Sequence, residues 1–270
     1  MMKKRQLLMN AMVTVCLFLI PGTVIADQPE ARRIMEKVEE VDDGNNRTAD
    51  MLMILTDKKG AKRKKFFKTF SKEYGEDSKQ LMIIDRPANI RNSGFLTFDY
   101  DNPDKDDDQW LYLPSLGRSK RIASGDKAGS FMGSDLNYSD MTSRALGDYD
   151  YRILKEMVLK NEKVWLIESI PRSEEVIDKT GFKKSILAVR QDIYMVSRIK
   201  AWPAKGSYVK ITDFNNLERI NGVLVYTDVR VIKKYGKTIK HKTQLLLSDI
   251  QFNQNLTDDL FTLRRLEKGL

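Results

Sequence analysis

The chain opens on a helical repeat and then changes period. In DQPEARRIMEKVEEVDDG the apolar residues Ala31, Ile34, Met35, Val38 and Val41 fall on one face of a helix, Pro29 suits its first turn and Gly44 ends it. Beyond that point the period becomes two. The runs ADMLMILTD, KKFFKTFSKEY, KQLMIIDRP, GFLTFDY and DQWLYLP read as short strands, divided by DKKG, GEDS, PANIRNSG and DNPDKDDD, which are turn compositions. A second series follows: DYRILKEMVL, KVWLIESIP, KSILAVRQD, YMVSRIKAWP, YVKITDFNN, LVYTDVRVIKKY and KTIKHKTQLLLSDIQF. Strands this closely spaced, with hardly any helix between them, predict a mainly β (α+β) fold on an antiparallel sheet in meander order. A parallel sheet is disfavoured because the crossover helices it needs are missing.

Several strands are apolar at every position, notably Met51 to Leu55, Leu81 to Ile84 and Leu245 to Leu247. They are expected to be covered on both faces. A single curved sheet must also fill its inner face. Either the helix at Pro29 to Val41 packs into it, or space remains for an apolar ligand, as in small barrels and half-barrels.

Residues 108–141 break the rhythm. Trp110, Leu111, Tyr112 and Leu113 form a strand, Pro114 to Gly117 a turn, and Arg118 to Ile122 a polar return strand. Ser124 to Ser130 then reads as a flexible loop carrying Phe131 and Met132 toward Gly133, with Ser134 or Asp135 placed to cap a short helix holding Leu136, Tyr138 and Met141. This order predicts an apolar cavity walled by Trp110, Leu111, Tyr112 and Leu113. Its movable cover runs from Ser124 to Met141, with Phe131, Met132, Leu136 and Tyr138 as the closing side chains and Gly125, Gly129 and Gly133 as hinges. Ordinary core packing is the competing reading for Trp110, Tyr112, Phe131 and Met132. Arg118 and Arg121 read as surface or salt-bridged residues.

The first 26 residues belong to a different problem. Lys3, Lys4 and Arg5 precede an apolar run from Ala11 to Ile20, Pro21 and Gly22 break it, and Val24-Ile25-Ala26 offers small residues at a cleavage site. A secretory signal cleaved after Ala26 is expected, leaving 27–270 as an exported chain. Cys16 is the one cysteine, so this chain would hold no disulfide, thiolate metal site or cysteine nucleophile. No linker, internal repeat or second hydrophobic span divides it, which favours one domain.

Charge is uneven. The formal net charge is +9, yet Asp57 to Lys72 holds eight cations against one anion while Asp99 to Asp108 holds six aspartates against one lysine. A basic hairpin interleaved with Phe66, Phe67 and Phe70 could serve nucleic acid, but an exported protein rarely meets any. Cations that keep a strand edge soluble, or that contact anionic lipid headgroups or an acidic partner, fit better.

Candidate chemistry is sparse. His241 is the single histidine and sits between lysines, in the pattern of an exposed side chain; no metal cluster or histidine-dependent triad can be read around it. Asp104, Asp106 and Asp108 have the spacing of a calcium loop, but Gln109 stands where glycine is wanted and Ser115 where a bidentate glutamate is wanted. A solvated acidic loop is the better reading. Nucleophile-elbow, P-loop and dinucleotide patterns are absent. No catalytic residue, metal or cofactor is expected.

WLYLPSLGRSKRI followed by KAGSFMGSDLNYSDM closely resembles the signature of the outer membrane lipoprotein-sorting protein family, within the LolA/LolB-like superfamily. The closing segment LTDDLFTLRRLEKG, with Phe261-Thr262 and Leu266-Glu267, is similar to that family's end. The resemblance spans essentially all of 27–270. It implies a strongly curved antiparallel sheet, an incomplete β-barrel whose apolar concave face is covered by helices. It also implies a periplasmic carrier of lipid or lipoprotein acyl chains, often working beside an inner-membrane exporter of the resistance-nodulation-division (RND) type. No ligand role carries over residue by residue. A protein-interaction or sensor module with a filled cavity uses the same scaffold, and a lipid-modifying enzyme would need a carboxylate or serine constellation that the sequence does not display.

Overall fold

In the computed structural model residues 27–102 and 105–270 are described; the expected signal segment and Asp104 lie outside them. Every run with strand periodicity is a strand. Helix α1 (Pro29–Glu39) leads into β1 (Asn46–Asp57), β2 (Lys62–Tyr74), β3 (Asp77–Arg86), β4 (Gly94–Asp99), β5 (Asp108–Leu113) and β6 (Arg118–Arg121). A stretch of short helical turns follows. The second series comprises β7 (Tyr149–Leu159), β8 (Glu162–Pro171), helix α2 (Glu174–Thr180), β9 (Phe182–Arg190), β10 (Val196–Pro203), β11 (Val209–Ile220), β12 (Val223–Tyr235) and β13 (Thr238–Phe252), and helix α3 (Leu263–Lys268) closes the chain.

The thirteen strands form one antiparallel sheet in the order β6-β5-β4-β3-β2-β1-β13-β12-β11-β10-β9-β8-β7. Two meanders are thus joined through their first and last strands, β1 against β13, with Met51 opposite Leu247 and Met53 opposite Leu245. The edge strands β6 and β7 do not pair, so the curved sheet stays open as an incomplete barrel. Among the described residues no helix is long and apolar enough to cross a membrane.

Apolar side chains at every position of β3 are explained by two covered faces. Met82 and Ile84 point to the inner face, where Met51, Met53, Leu55, Phe67 and Phe95 gather. Leu81 and Ile83 point outward, under Phe261 and Leu266 of the C-terminal segment. That outer contact is close: a Cβ at Gly94 would stand 2.7 Å from the Leu266 Cδ1 and 2.6 Å from the Ile83 Cδ1, so a larger residue there would make both side chains shift. Each fully buried Leu, Ile or Phe contributes about 1.5–3 kcal/mol here.

The inner face is covered in two places. Helix α1 lays Ala31, Ile34 and Met35 on Tyr149, Tyr151, Ile167 and Leu187. Arg32 fastens it, donating to the carbonyls of Leu146 (2.5 Å) and Tyr149 (2.6 Å) and to Asp27 (2.8 Å). The other cover is the stretch after β6, whose Ile122, Phe131 and Leu136 join the core over β1 to β4. Between the two covers the inner face is open.

Candidate functional site

The segment from Ser124 to Met141 is held in place rather than free to move. Phe131 has no exposed surface; its ring meets Phe95 at 5.0 Å and Tyr138 at 5.8 Å, both edge-on. Polar stitches come from five directions. Lys65 on β2 donates to the Met132 carbonyl at 2.7 Å, Gln109 on β5 to the Tyr138 carbonyl at 3.0 Å, and Asn137 to the Thr180 carbonyl of α2 at 3.1 Å. Lys210 on β11 pairs with Asp140. On β13, His241 Nδ1 lies 2.7 Å and Thr243 Oγ1 2.8 Å from the Asp135 carboxylate, which is itself buried.

These contacts correct several expectations. Asp135 is a tether to β13 and not a helix cap; the cap is Asn137, in a reciprocal box with Asp140 ahead of the turn Tyr138–Met141. His241 is paired, not merely exposed. The acidic loop is not simply solvated either: Lys127, with no exposed surface, places its ammonium 2.7 Å from Asp106, and Lys179 lies 2.9 Å from the same carboxylate. Burial alone would raise the Asp106 carboxyl, but hydrogen bonds from Lys127, Ser124 and Lys179 hold it well below the ordinary range. The supposed mobile, apolar-tipped lid is therefore a packed wall, because its tip is core and its loop is stitched to the sheet.

Beside this wall lies a cleft of about 790 Å³. Its floor is the open part of the inner face: Ile199 on β10, Phe214 on β11, Val229 on β12 and Leu245 on β13, flanked by Leu136, Tyr149, Val176 and Phe182. α2 is set there by local chemistry. Ser173 Oγ accepts from the Val176 amide at 3.2 Å to start it, and Gly181, at φ 81°, ends it in the left-handed conformation.

The rim of the cleft is acidic. It carries Glu39 at the end of α1 and Glu40 and Asp43 beyond it, Glu73 and Glu76 around the β2–β3 turn, Asp99, Asp101 and Asp107 around the β4–β5 connection, and Asp140 and Asp148, against Lys105, Arg144 and Lys179. A side recess of about 120 Å³ brings Asp43, Glu73 and Asp99 together with Arg47 and Thr97. Burial, with repulsion from Asp43 and Asp99, pushes the Glu73 carboxyl up to about 7, and Arg47 offsets only part of this. Burial likewise pushes Asp99 up to about 6; the hydrogen bond from the Ser143 amide opposes the shift and Asp107 adds to it. Among the described residues no cluster of histidine and carboxylate side chains has metal-holding geometry.

Of the residues expected at a site, Leu136 lines the cleft. Phe131 belongs to the inner core, with Leu111, Met132 and Tyr138 packed against it. Trp110 and Tyr112 pack on the outer face, in the cluster of Phe261 and Leu266, as the alternation of a strand requires. Leu113, at the end of β5, stands opposite Arg118 and does not line the cleft. Nothing in the sequence singled out Ile199, Phe214 or Val229, and Leu245 stood out only as part of an apolar run expected to be covered on both faces; only the register places the four side by side.

The geometry has relatives. A family model described as "uncharacterized protein" matches residues 76–268. A DUF1329 family protein from Desulfovibrio piger superposes with a TM-score of 0.81 at 25% identity, covering 89% of this chain and 99% of that one. A putative outer membrane lipoprotein-sorting protein domain from Vibrio parahaemolyticus superposes with a TM-score of 0.79 at 27% identity, covering 88% and 98%. A LolA superfamily protein from Nitrosomonas europaea shares the fold, with a TM-score of 0.65 at 19% identity over 86% and 97%. No curated protein matches the chain.

Proposed function

The chain belongs to the family whose model spans residues 76–268, with a LolA-like, lipoprotein-sorting fold, and from that premise we propose that it is a periplasmic carrier that takes lipid or lipoprotein acyl chains into the cleft. The observation that carries this is the open stretch of inner face. Ile199, Phe214, Val229 and Leu245 present an apolar floor, interrupted by Thr212 opposite Ile199, in a concavity of about 790 Å³, inside the ~300–1,000 Å³ typical of ligand sites.

The carrier acts without catalysis, cofactor or metal: it binds by burial and releases by exchange. It operates in outer-membrane lipoprotein sorting or lipid export, next to an RND-type exporter, as a single domain 27–270 that begins at Asp27 after removal of the signal. N-terminal sequencing of the exported protein checks the last point.

Native mass spectrometry of protein purified from the periplasm tests the carrier function. A co-purifying lipid, displaced by a fluorescent fatty acyl probe, is the expected result. Protein that is folded, empty and unable to bind the probe, yet associates with a protein partner, would instead establish an interaction or sensor module.

A further inference from the structure

The basic segment noted in the sequence does not act alone. Register places three turns side by side at one end of the sheet. Thr56 pairs with both Lys62 and Lys242, so the β1–β2 turn adjoins the β12–β13 turn; Lys234 pairs with Val209, so the β10–β11 turn comes next. The first turn exposes Lys58, Lys59, Lys62, Arg63 and Lys64. Its one carboxylate, Asp57, is engaged by the turn's own amides at Lys59 (2.8 Å) and Ala61 (3.0 Å). The second turn exposes Lys234, Lys237, Lys240 and Lys242, and the third exposes Lys200 and Lys205 beside Lys183 of β9.

Among the described residues none of these cations forms an ion pair, although ion pairs are frequent elsewhere on the surface. Between the lysines lies a shallow cleft of about 490 Å³ lined by Trp202, Pro203, Tyr208 and Ile211. Lys184 stands 5.0 Å from the Trp202 ring and Lys233 5.6 Å from the Tyr208 ring.

We propose that this end of the sheet docks on an anionic membrane leaflet, with the lysines over the headgroups and Trp202 and Tyr208 at headgroup depth. Three features favour a lipid surface over an acidic protein. The cations are nearly all lysine, a mobile point charge suited to a smeared layer of phosphates, where recognition of discrete carboxylates favours the bidentate fork of arginine. They are spread over three adjacent turns and the strand ends beside them, with Lys183, Lys200 and Lys234 around the Trp202–Tyr208 cleft. Tryptophan and tyrosine set among them are the side chains that settle at a membrane–water interface.

The docking also orients the molecule. The acidic rim lies at the opposite end of β1, where Asn46 pairs with Lys72 before the β2–β3 turn, roughly 35 Å away at strand rise. A leaflet that attracts the turns repels the rim, so the cleft mouth faces away from the bilayer. If the carrier function holds, cargo then reaches the cleft from a protein and not directly from the lipid.

The test is sedimentation of the purified protein with vesicles of phosphatidylcholine alone or mixed with phosphatidylglycerol, with polyglutamate as a competing acidic polymer. Binding is expected only to the mixed vesicles, weakening as salt shortens the screening length. Each headgroup-facing lysine contributes about fivefold, so Lys58→Glu/Lys62→Glu/Lys64→Glu should lose at least about a hundredfold. Trp202→Ala should weaken vesicle binding and leave polyglutamate binding unchanged. Because Lys58, Lys62 and Lys64 are exposed, the triple variant should keep the parent's thermal transition and its affinity for an acyl probe, which separates failure of docking from failure of the carrier function; the half-buried Trp202 is replaced only to compare vesicle with polyglutamate binding in folded protein. Equal binding to both vesicle types, no binding to either, or tighter binding to polyglutamate than to the mixed vesicles would overturn the proposal.

Discussion

At the scale of single residues the burial of Phe131 decides how a substitution there behaves. Its ring is enclosed by Phe95 and Tyr138, so Phe131→Ala should cost about 3–5 kcal/mol in urea unfolding; a cost below about 1 kcal/mol would return the side chain to the role of a movable lid. Glu73, with Asp99 beside it, makes stability depend on pH. Its carboxyl is raised from 4.5 to about 7 in the fold, so the fold prefers the protonated form. The stability this brings is complete below the ordinary carboxylate range and is lost as pH rises through about 7. Glu73→Gln should therefore raise the melting temperature at about pH 8, by the equivalent of about 1–2 kcal/mol after solvent screening, and do much less at about pH 5. A uniform effect at both values contradicts the assignment. Core packing of Phe131 was one of two readings the sequence offered; the role of Glu73 was not visible in it. Glu73 is one of 38 acids in the chain, and the partner that turns His241 from an exposed side chain into a tether stands 106 residues away.

Among the elements, existence was far more legible than placement. Alternation and turn composition marked the strands, because the sheet repeats one local rule along most of the chain. Register and facing were not marked: β1 and β3 are apolar at successive positions, so a shift by one residue leaves the pattern unchanged. For that reason Trp110 and Tyr112, expected at a cavity, lie instead beneath the C-terminal helix. The glycines at Gly125, Gly129 and Gly133 suggested mobility, whereas the segment is stitched down by side chains on distant elements. Lys127 is the stitch most open to test. With no exposed surface and its ammonium on Asp106 and the Asp107 carbonyl, its replacement by alanine should cost about 1–3 kcal/mol. Amide exchange should quicken through 124–141 while the central strands stay protected. Unchanged exchange there would mean that packing of Phe131 and Leu136 is enough to hold the segment.

For the whole molecule, one open sheet carries opposite chemistry at its two ends and an apolar floor between them. The fold class, the incomplete closure and the covering helix followed from periodicity and from family resemblance. The cleft did not, because its floor is assembled from β10 to β13 and its rim from α1, the β2–β3 turn and the β4–β5 connection. The ligand-binding role of that floor is the central claim. Titration of a fluorescent fatty acyl probe into the parent protein and into Ile199→Asp tests it most directly. Loss of one apolar contact of about 1.5–3 kcal/mol predicts binding at least about tenfold weaker, measured at a temperature where the variant is still folded, since Ile199 also packs against the core under α1. A parent that does not bind the probe, or an Ile199→Asp protein that binds it as the parent does, would contradict the account.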